Sequence, residues 1–412
     1  MTLGLAVVVI SLACTTSKPI VVDEQTRGAI KQVTDAVAKQ PANLPYVYLL
    51  ASYHDKAGET DQVVRWLTRL DELGWQQGVS PVDFRNSRGS AFRNAVEKLA
   101  SREPRVSRAT TAFTLRGQRD LIPEGTAYDP VDDVFYLSGL YRRNVVRVTR
   151  DGRATDFVKE AQDGMLAGLG MKIDQSKRHL WVISSTTKEM RGYVKDQESS
   201  MLAAYDLKGG SLVRKVDAAP ARLNDLTLLA DGTIYSTDMG GHTVVRLAPG
   251  ADKFETYADG FFYPNGITSD GTNLYVADAR GLHRIALADK SRTKIEIPNT
   301  LLGGIDGLDF HEGTLIAIQN SMGSPRVLRV HPCSAGFRPA PPTLNGRLET
   351  CTTPTVEILE SRNPLFELPT TGAIANGEYF FIANPGLRSF DENGQIWPAG
   401  RLEEPVMLKI AL

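Results

Sequence analysis

Side chains whose oxygen atoms could bind a metal ion recur at one position of a repeated unit in this chain. Asn224 and Asn265 are 41 residues apart, and Asp306 follows Asn265 after another 41 residues. Glu124 opens an equivalent copy upstream, and each copy continues into an apolar strand, a tight turn and a second strand. Carboxylate and carboxamide oxygens are the ligands that hard divalent cations prefer. If the copies converge, these four residues could therefore form a cation site.

The repeat also predicts the fold. Two further copies begin at Leu169 and Thr371, which gives six copies of a unit built only from strands. An all-β repeat with a period of roughly 40–60 residues is typical of a β-propeller, in which equivalent positions lie on one ring around the axis. We expect an all-β, six-bladed β-propeller over residues 109–412. The blades begin near Leu121, Met165, Arg222, Tyr263, Gly303 and Phe366.

One isolated strand precedes the first blade. The segment Ala112–Leu115 has no partner within its own copy, and we expect it to pair with the last blade near residues 405–412. Such pairing would protect the seam of the ring, where a strand edge would otherwise stay open. Asp238, Asp278 and Asn320 end the second strands of their blades, and we expect them to cap the loops that follow, with support of the site's ligands from behind as the alternative.

Residues 21–107 differ from the rest of the chain because their apolar residues recur with a helical period. The pattern predicts a small helical segment, with helices over Arg27–Ala38, Pro45–Ala57, Thr60–Leu73 and Phe92–Ala100. The second and third of these helices loosely resemble one tetratricopeptide-type pair. The segment could cap the propeller, offer a surface to a protein partner, or hold the propeller away from a membrane.

The first residues indicate export. An apolar run, Leu3–Ala13, ends at Cys14 and is followed by polar residues. This pattern predicts a signal peptide over residues 1–14, of the lipoprotein type, with Cys14 as the lipidated residue. No Lys or Arg precedes the run, so a plain signal peptide or a mis-assigned start is the alternative. The expected location is the periplasm, or the outer membrane through a lipid anchor.

The other two cysteines flank one loop. Cys333 and Cys351 could close this loop as a disulfide, which requires an oxidising compartment, or they could be two free thiols. The formal net charge of −1 gives no broad electrostatic reason to bind nucleic acid or acidic membranes. We therefore expect no nucleic-acid partner, and contact with a membrane only through the lipid anchor.

Four motifs in order along the chain carry a resemblance to a known family. Glu124-Gly125, Arg222-x-Asn224-Asp225, Pro264-Asn265-Gly266 and Asp306-Gly307 resemble the signatures of the senescence marker protein/gluconolactonase family. The resemblance covers about residues 121–412 and implies a six-bladed propeller that hydrolyses lactones with one divalent metal at its axis. It implies Glu124, Asn265 and Asp306 as metal ligands, with Asp306 also the general base. Arg222 and Asn224 would contact the substrate, or Asn224 would reach the metal through water.

The expected cation is Ca²⁺, with Zn²⁺, Mn²⁺ or Mg²⁺ as alternatives, and the expected substrate is a small lactone or ester. A hard cation can polarise an ester carbonyl, and an adjacent carboxylate can accept a proton from water. The chain departs from the family at Leu226, where members usually have Gly, and Leu169 makes one side of the ring apolar. The apolar position indicates a less polar substrate than a sugar acid lactone.

Two other functions fit the sequence. The first is a non-catalytic propeller that acts as a binding module in the cell envelope, with the metal stabilising the fold. The second is a propeller enzyme that forms carbon–nitrogen or carbon–carbon bonds without a metal. The simplest structural explanation of the motifs is that Asp and Asn before Gly form turns. This explains Asp151-Gly152, Asp231-Gly232 and Asp270-Gly271, but it does not explain Glu124, because Glu is not a turn former.

Overall fold

The structure is a computed structural model that describes residues 22–81, 83–297, 300–332, 353–391 and 393–412. The predicted signal peptide with Cys14, and the predicted disulfide between Cys333 and Cys351, lie outside the described residues.

The described strands form six four-stranded antiparallel sheets. The inner strands of neighbouring sheets contact one another in chain order, and the first contacts the last, so the sheets close into a ring. This confirms the six-bladed propeller with a helical N-terminal segment.

The strands, given by blade from the axis outward, are as follows. Blade one contains β2 (Pro123–Asp129), β3 (Val134–Gly139), β4 (Asn144–Thr149) and β5 (Ala154–Val158). Blade two contains β6 (Ala167–Asp174), β7 (His179–Ser185), β8 (Ser200–Asp206) and β9 (Leu212–Asp217). Blade three contains β10 (Leu223–Leu228), β11 (Ile234–Asp238), β12 (Thr243–Leu247) and β13 (Glu255–Ala258).

Blade four contains β14 (Ile267–Ser269), β15 (Asn273–Asp278), β16 (Gly281–Ala286) and β17 (Arg292–Ile295). Blade five contains β18 (Ile305–His311), β19 (Thr314–Gln319), β20 (Arg326–His331) and β21 (Thr355–Ser361). Blade six contains β22 (Gly372–Ala375), β23 (Glu378–Ile382), β24 (Val406–Ala411) and, as its outer strand, β1 (Thr110–Thr114).

The ring closes by pairing the two ends of the propeller. Strand β1 lies antiparallel to β24, with Phe113 opposite Met407 and Thr114 opposite Val406. The prediction that an early strand completes the last blade is confirmed. Because this pairing joins distant parts of the chain, the sixth blade has no open seam.

Small residues let the inner strands approach one another at the axis. A Cβ on Gly125 would lie 2.1 Å from the carbonyl oxygen of Leu169 in the next blade, and a Cβ on Gly266 would lie 2.5 Å from the carbonyl oxygen of Asp306. These glycines are therefore required by close packing between blades. In blade three, Asp225 takes the corresponding place. Irregular pairing of the inner strand with its neighbour coincides with this position at Pro123/Thr126, Gly168/Met171, Leu223/Leu226 and Ile305/Leu308.

The three Asp-Gly pairs predicted to form turns do so. Their glycines, Gly152, Gly232 and Gly271, have φ of 82°, 88° and 85°, in the left-handed region that glycine adopts without steric cost. A glycine that follows a polar residue thus has two structural roles in this chain. It makes turns between strands, and it makes close contacts between blades at the axis.

The described part of the N-terminal segment forms four helices: α1 (Glu24–Lys39), α2 (Leu44–Lys56), α3 (Thr60–Glu72) and α4 (Ser90–Arg102). Asp23 caps α1 by accepting a hydrogen bond from the Thr26 amide at 2.6 Å, and Asn43 caps α2 in the same way. None of the helices that the structure describes is long and apolar enough to cross a membrane.

The helices and the propeller share one apolar cluster. Trp75 and Val79, in the irregular stretch between α3 and α4, are buried together with Leu301 and Met322 of blade five, and Phe262 of blade four packs against them. The helical segment is therefore packed on the propeller along one side, next to the loops that lead into blades four and five.

Candidate active site at the propeller axis

The predicted site residues surround one cavity. The cavity has a volume of about 490 Å³ and lies at the end of the axis where the inner strands begin. Its lining includes the five residues predicted to bind metal or substrate: Glu124, Arg222, Asn224, Asn265 and Asp306. The structure therefore brings together residues that are up to 182 positions apart in the sequence, as Glu124 and Asp306 are.

Amide side chains link the polar floor of this cavity. The Nδ2 of Asn224 donates a short hydrogen bond to Oδ1 of Asn265, and the side chain of Asn265 also hydrogen-bonds the carboxylate of Asp306. On its other side, Asp306 accepts a hydrogen bond at Oδ2 from Nδ2 of Asn320. The carboxylate of Asp306 is therefore held between two amides from different strands.

Glu124 differs from the other polar residues of the cavity floor in its hydrogen bonding. Its side chain is buried, and within the described part of the chain its Oε2 has no hydrogen-bond partner. Burial, followed by the nearby charges of Asp306 and Asp225, raises its pKa well above the usual range. A buried acceptor without a partner is costly, and a bound cation would remove that cost.

Asp306 has a smaller shift in the same direction. Burial raises its pKa to about 6, while the hydrogen bonds from Asn320 and Asn265 act in the opposite sense. Two buried carboxyl groups that are both unfavourable when ionised either keep a proton or need a compensating positive charge. The oxygens of Glu124, Asp306 and Asn265 are of the type that a hard cation prefers, and all three residues line the same cavity.

Carboxylates alone would not complete such a site. Among the described residues, no three His, Cys, Asp or Glu side chains are grouped closely enough to hold a metal ion. A cation site on these two carboxylates would need amide oxygens as additional ligands, and Asn265 and Asn224 line the same cavity. Calcium readily accepts mixed carboxylate and amide ligands.

A second polar layer lies deeper along the axis, and sequence reasoning missed it. The Nζ of Lys172 lies 2.7 Å from Oδ1 of Asp309, and the hydroxyl of Tyr379 donates to Oδ2 of Asp309 at 3.1 Å. Asp225 lies near this pair, and burial raises its pKa to about 7 although Lys172 acts to lower it. A signal was available, since Lys172 and Asp309 each follow their ring position, Leu169 and Asp306, by three residues.

One wall of the cavity comes from the insertion in blade two. The loop between β7 and β8 contributes Thr186, Lys188, Glu189, Tyr193 and Glu198 to the lining. The sequence alone did not indicate at which end of the propeller this insertion lies. The structure places it at the same end as Glu124 and Asp306, among the residues that line the cavity.

The remaining wall is largely apolar. Its members are Leu140, Leu169, Met239 and Leu387, from four different blades. Arg222 is exposed at the edge of the cavity. Its aliphatic stem lies close to Gly240, where an added Cβ would be 3.1 Å from Cδ of Arg222. A molecule in the cavity would thus contact a polar floor, an apolar wall and the guanidinium group of Arg222 at the rim.

The residues at the ends of the second strands differ in their roles. Asp238 caps its loop by accepting from the amides of Arg222, Gly240 and Gly241, and Asp278 accepts from the amides of Phe262 and Arg280, as predicted. For Asn320 the prediction of a simple loop cap is wrong, because its side chain contacts Asp306. Both roles place a polar residue at a strand end, so the sequence pattern does not separate them.

The fold and this site define a six-bladed propeller with an oxygen-rich cluster at one end of its axis. Residues 122–305 match the family described as SMP-30/Gluconolactonase/LRE-like region. This confirms, for that part of the propeller, the resemblance that the motifs indicated. The match contains Glu124, Arg222, Asn224 and Asn265, and it ends one residue before Asp306. No curated protein sequence matches the chain.

Solved structures with a similar fold have varied activities. A gluconolactonase from Xanthomonas campestris is 16% identical, with a TM-score of 0.47 over 74% of this chain and 94% of that chain. The virginiamycin B lyase of Staphylococcus aureus is 13% identical, with a TM-score of 0.48 over 74% and 99%. The aldose sugar dehydrogenase of Streptomyces coelicolor is 14% identical, with a TM-score of 0.44 over 75% and 100%.

Proposed function

We propose that this protein hydrolyses a lactone or a related ester in the axial cavity, with a divalent cation held by Glu124, Asn265 and Asp306. One observation carries the proposal: a buried Glu124 oxygen without a described partner lies at a cavity floor that also contains Asp306 and two amides. The family match over residues 122–305 supports the same class of reaction.

The ligand set favours calcium, since it offers only oxygen atoms and includes neutral amides. Zn²⁺, Mn²⁺ or Mg²⁺ would also find oxygen ligands here. When bound, the cation would polarise the ester carbonyl and lower the pKa of water in the site. Glu124 and Asp306 would then be ionised, because the positive charge compensates the burial that raises their pKa values in the metal-free protein.

The chain's own residues account for the proton transfers. Asp306 accepts the proton of the attacking water, and the amides of Asn265 and Asn320 keep its carboxylate oriented toward the cavity. Water adds to the carbonyl carbon, the ring carbon–oxygen bond breaks, and the proton held by Asp306 passes to the leaving alkoxide. The product is a hydroxy acid.

Arg222 and Asn224 would bind the substrate. The guanidinium of Arg222 stands at the exposed rim, where it can hold a polar group of the substrate or stabilise negative charge that develops on the carbonyl oxygen. Asn224 lies on the floor with its amide group already hydrogen-bonded to Asn265. The apolar wall of leucines and Met239 would contact the non-polar part of a lactone.

The test is hydrolysis of a panel of aldonolactones and aliphatic lactones by the protein that lacks residues 1–14, with and without a chelator. We expect turnover that the chelator removes and that added calcium restores. Absence of turnover with every divalent cation, together with clear stabilisation by a cation, would contradict the proposal and favour a non-catalytic binding module. Turnover that the chelator leaves unchanged would contradict the cation's role.

A further inference from the structure

We propose that Asn320 is a positioning residue for Asp306, and that the helical segment holds Asn320 in place through the loop 320–324. The segment would then be part of the active site and not a separate module attached to the propeller. The importance of Asp306 for turnover rests on the proposed function, while the contacts that hold it do not.

Asn320 spans two blades. It follows β19 of blade five, and its Nδ2 donates both to Oδ2 of Asp306 and to the carbonyl oxygen of Pro369, 3.1 Å away in the connection to blade six. Both amide hydrogens are thereby used. Since Asp306 is buried, few other donors can orient its carboxylate. A displacement of Asn320 would leave Oδ2 of Asp306 without this hydrogen bond.

The loop that carries Asn320 has an unusual backbone. Met322 has φ of 57° and Gly323 has φ of 138°, both in the region that residues with a side chain rarely adopt. Met322 is not glycine, so its conformation has to be maintained by contacts outside the loop. The loop's partners therefore decide where Asn320 lies.

One partner lies in the propeller, where the carbonyl oxygen of Gly304 accepts from the amides of Asn320 and Ser321 at 3.2 and 3.3 Å. The others come from the helical segment. Ser80 Oγ donates to the carbonyl oxygen of Asn320 at 3.0 Å, and Asp83 Oδ2 accepts from the amide of Met322 at 3.1 Å. Gln77 Nε2 donates to the carbonyl oxygen of Ser324 at 3.0 Å. The backbone of the loop is thus bound by three side chains from the stretch between α3 and α4.

The fit between the two parts is close. A Cβ on Gly323 would lie 2.2 Å from Nε2 of Gln77, so a side chain at this position, besides the strain of a φ of 138°, would displace Gln77 from the loop. Ser324 is bound again from α4's end, because its hydroxyl donates to Oε2 of Glu103 at 2.6 Å. A surface that only rested on the propeller would not need backbone contacts of this kind.

The contact continues into the helices. Asp83 also accepts a hydrogen bond from the hydroxyl of Tyr48, a fully buried residue of α2, at 2.8 Å. Met322 is buried in the same apolar cluster as Tyr48 and Trp75. A continuous path of packed and hydrogen-bonded groups therefore runs from α2 through Asp83 and the loop to Asn320 and Asp306.

The experiment compares three variants of the full chain. The double variant Gln77→Leu/Ser80→Ala removes three hydrogen bonds from the helical segment, to Gln319, Asn320 and Ser324, and substitutes no residue of the propeller. Leu67→Ala opens a cavity in the buried face of α3 without removing a hydrogen-bonding group, and serves as a control of lowered stability. Gln76→Leu changes the exposed neighbour of Gln77 and serves as a surface control.

Two readouts are used, both at a temperature where every variant is folded. For the lactone that the wild type hydrolyses, we expect the double variant to lower kcat by roughly 10- to 100-fold with little change in KM, as expected for a misplaced reacting group. The two controls should keep the wild-type kcat. A purely structural role of the helices would instead make Leu67→Ala and the double variant alike in kcat.

The second readout does not depend on any activity. Crystal structures of the double variant and of Leu67→Ala show whether Asn320 Nδ2 still contacts Asp306. We expect the contact to be lost or displaced only in the double variant. A retained contact overturns the proposal, even if no lactone is hydrolysed by the wild type, and wild-type kcat in the double variant overturns it while leaving the proposed function intact.

Discussion

Lys172 and Asp309 form an ion pair across the axis of the propeller, with Nζ 2.7 Å from Oδ1. They belong to blades two and five, which lie opposite each other in a ring of six. Each is three residues beyond its ring position, so the pair lies deeper along the axis than Glu124 and Asp306. The axis is thus filled below the cavity, and a substrate would approach from the side of Arg222 and the blade-two insertion.

The ion pair gives a stability prediction. Lys172→Met should leave Asp309 and Asp225 without their compensating charge and lower the free energy of unfolding by about 3–5 kcal/mol. The measurement is urea denaturation at neutral pH. Lys177→Met is the matched control, since Lys177 is exposed and pairs only loosely with Asp174, at 3.6 Å, and its effect should stay within about 0.5 kcal/mol. Equal effects would show that the axial pair is unimportant.

The glycines at the axis give a second prediction. Gly125→Ala would place a Cβ against the carbonyl oxygen of Leu169 and should lower the free energy of unfolding by roughly 1–3 kcal/mol or more. It should also weaken calcium binding in a calorimetric titration, because Glu124 is its neighbour. Gly28→Ala in α1 meets open space and should raise stability by about 0.5–1 kcal/mol. A harmless Gly125→Ala would contradict the requirement for close approach of the blades.

The pKa of Asp225 predicts how the metal-free protein responds to pH. Burial raises it from 3.8 to about 7, so the folded state binds this proton more tightly than the unfolded state. The associated stability is fully present below about pH 4 and is lost as pH rises toward 7. Asp225→Asn should flatten this fall, measured by urea denaturation in chelator.

The control for that pH series is Asp231→Asn. Asp231 is exposed and hydrogen bonds from Thr233 lower its pKa, so its removal should not flatten the fall between pH 4 and 7. If Asp225→Asn and the wild type lose stability with the same slope, Asp225 is not protonated in the folded protein near neutral pH.

Arg222 is expected to act on substrate binding. Arg222→Ala should raise KM about tenfold, equivalent to ~1.4 kcal/mol, because a hydrogen bond to a polar substrate group is lost. The measurement is steady-state kinetics on the preferred lactone, with Arg153→Ala as a control at an exposed residue between β4 and β5 that does not line the cavity. A normal KM in Arg222→Ala would remove Arg222 from the binding site.

The periodic features of the structure could be predicted from the sequence, and the features that connect different repeats could not. The ring positions of Glu124, Asn265 and Asp306 follow from the repeat, because equivalent positions of blades must share a ring. Closure by β1 follows from its lack of a local partner. The Lys172–Asp309 pair has a periodic signal, because both residues follow their ring positions by three, but this spacing does not show that the two side chains meet across the axis.

The contacts of Asn320 could not be predicted for a related reason. A polar residue at a strand end can cap its own loop, as Asp238 does, or reach a neighbouring blade, and both cases have the same local sequence pattern. The attachment of the helices is equally non-local, since Ser80 and Asn320 are 240 residues apart. Only the tertiary structure shows that these groups meet.

The most direct test of the central claim is the turnover of Asp306→Asn at saturating calcium, compared with the wild type on the same lactone. Asparagine keeps the size of the side chain and an oxygen ligand, but it cannot accept a proton from water. We predict a folded protein that still binds calcium, with reduced affinity, and whose kcat is lower by roughly 10²–10⁴-fold. A kcat close to that of the wild type would contradict the role of Asp306 as the base.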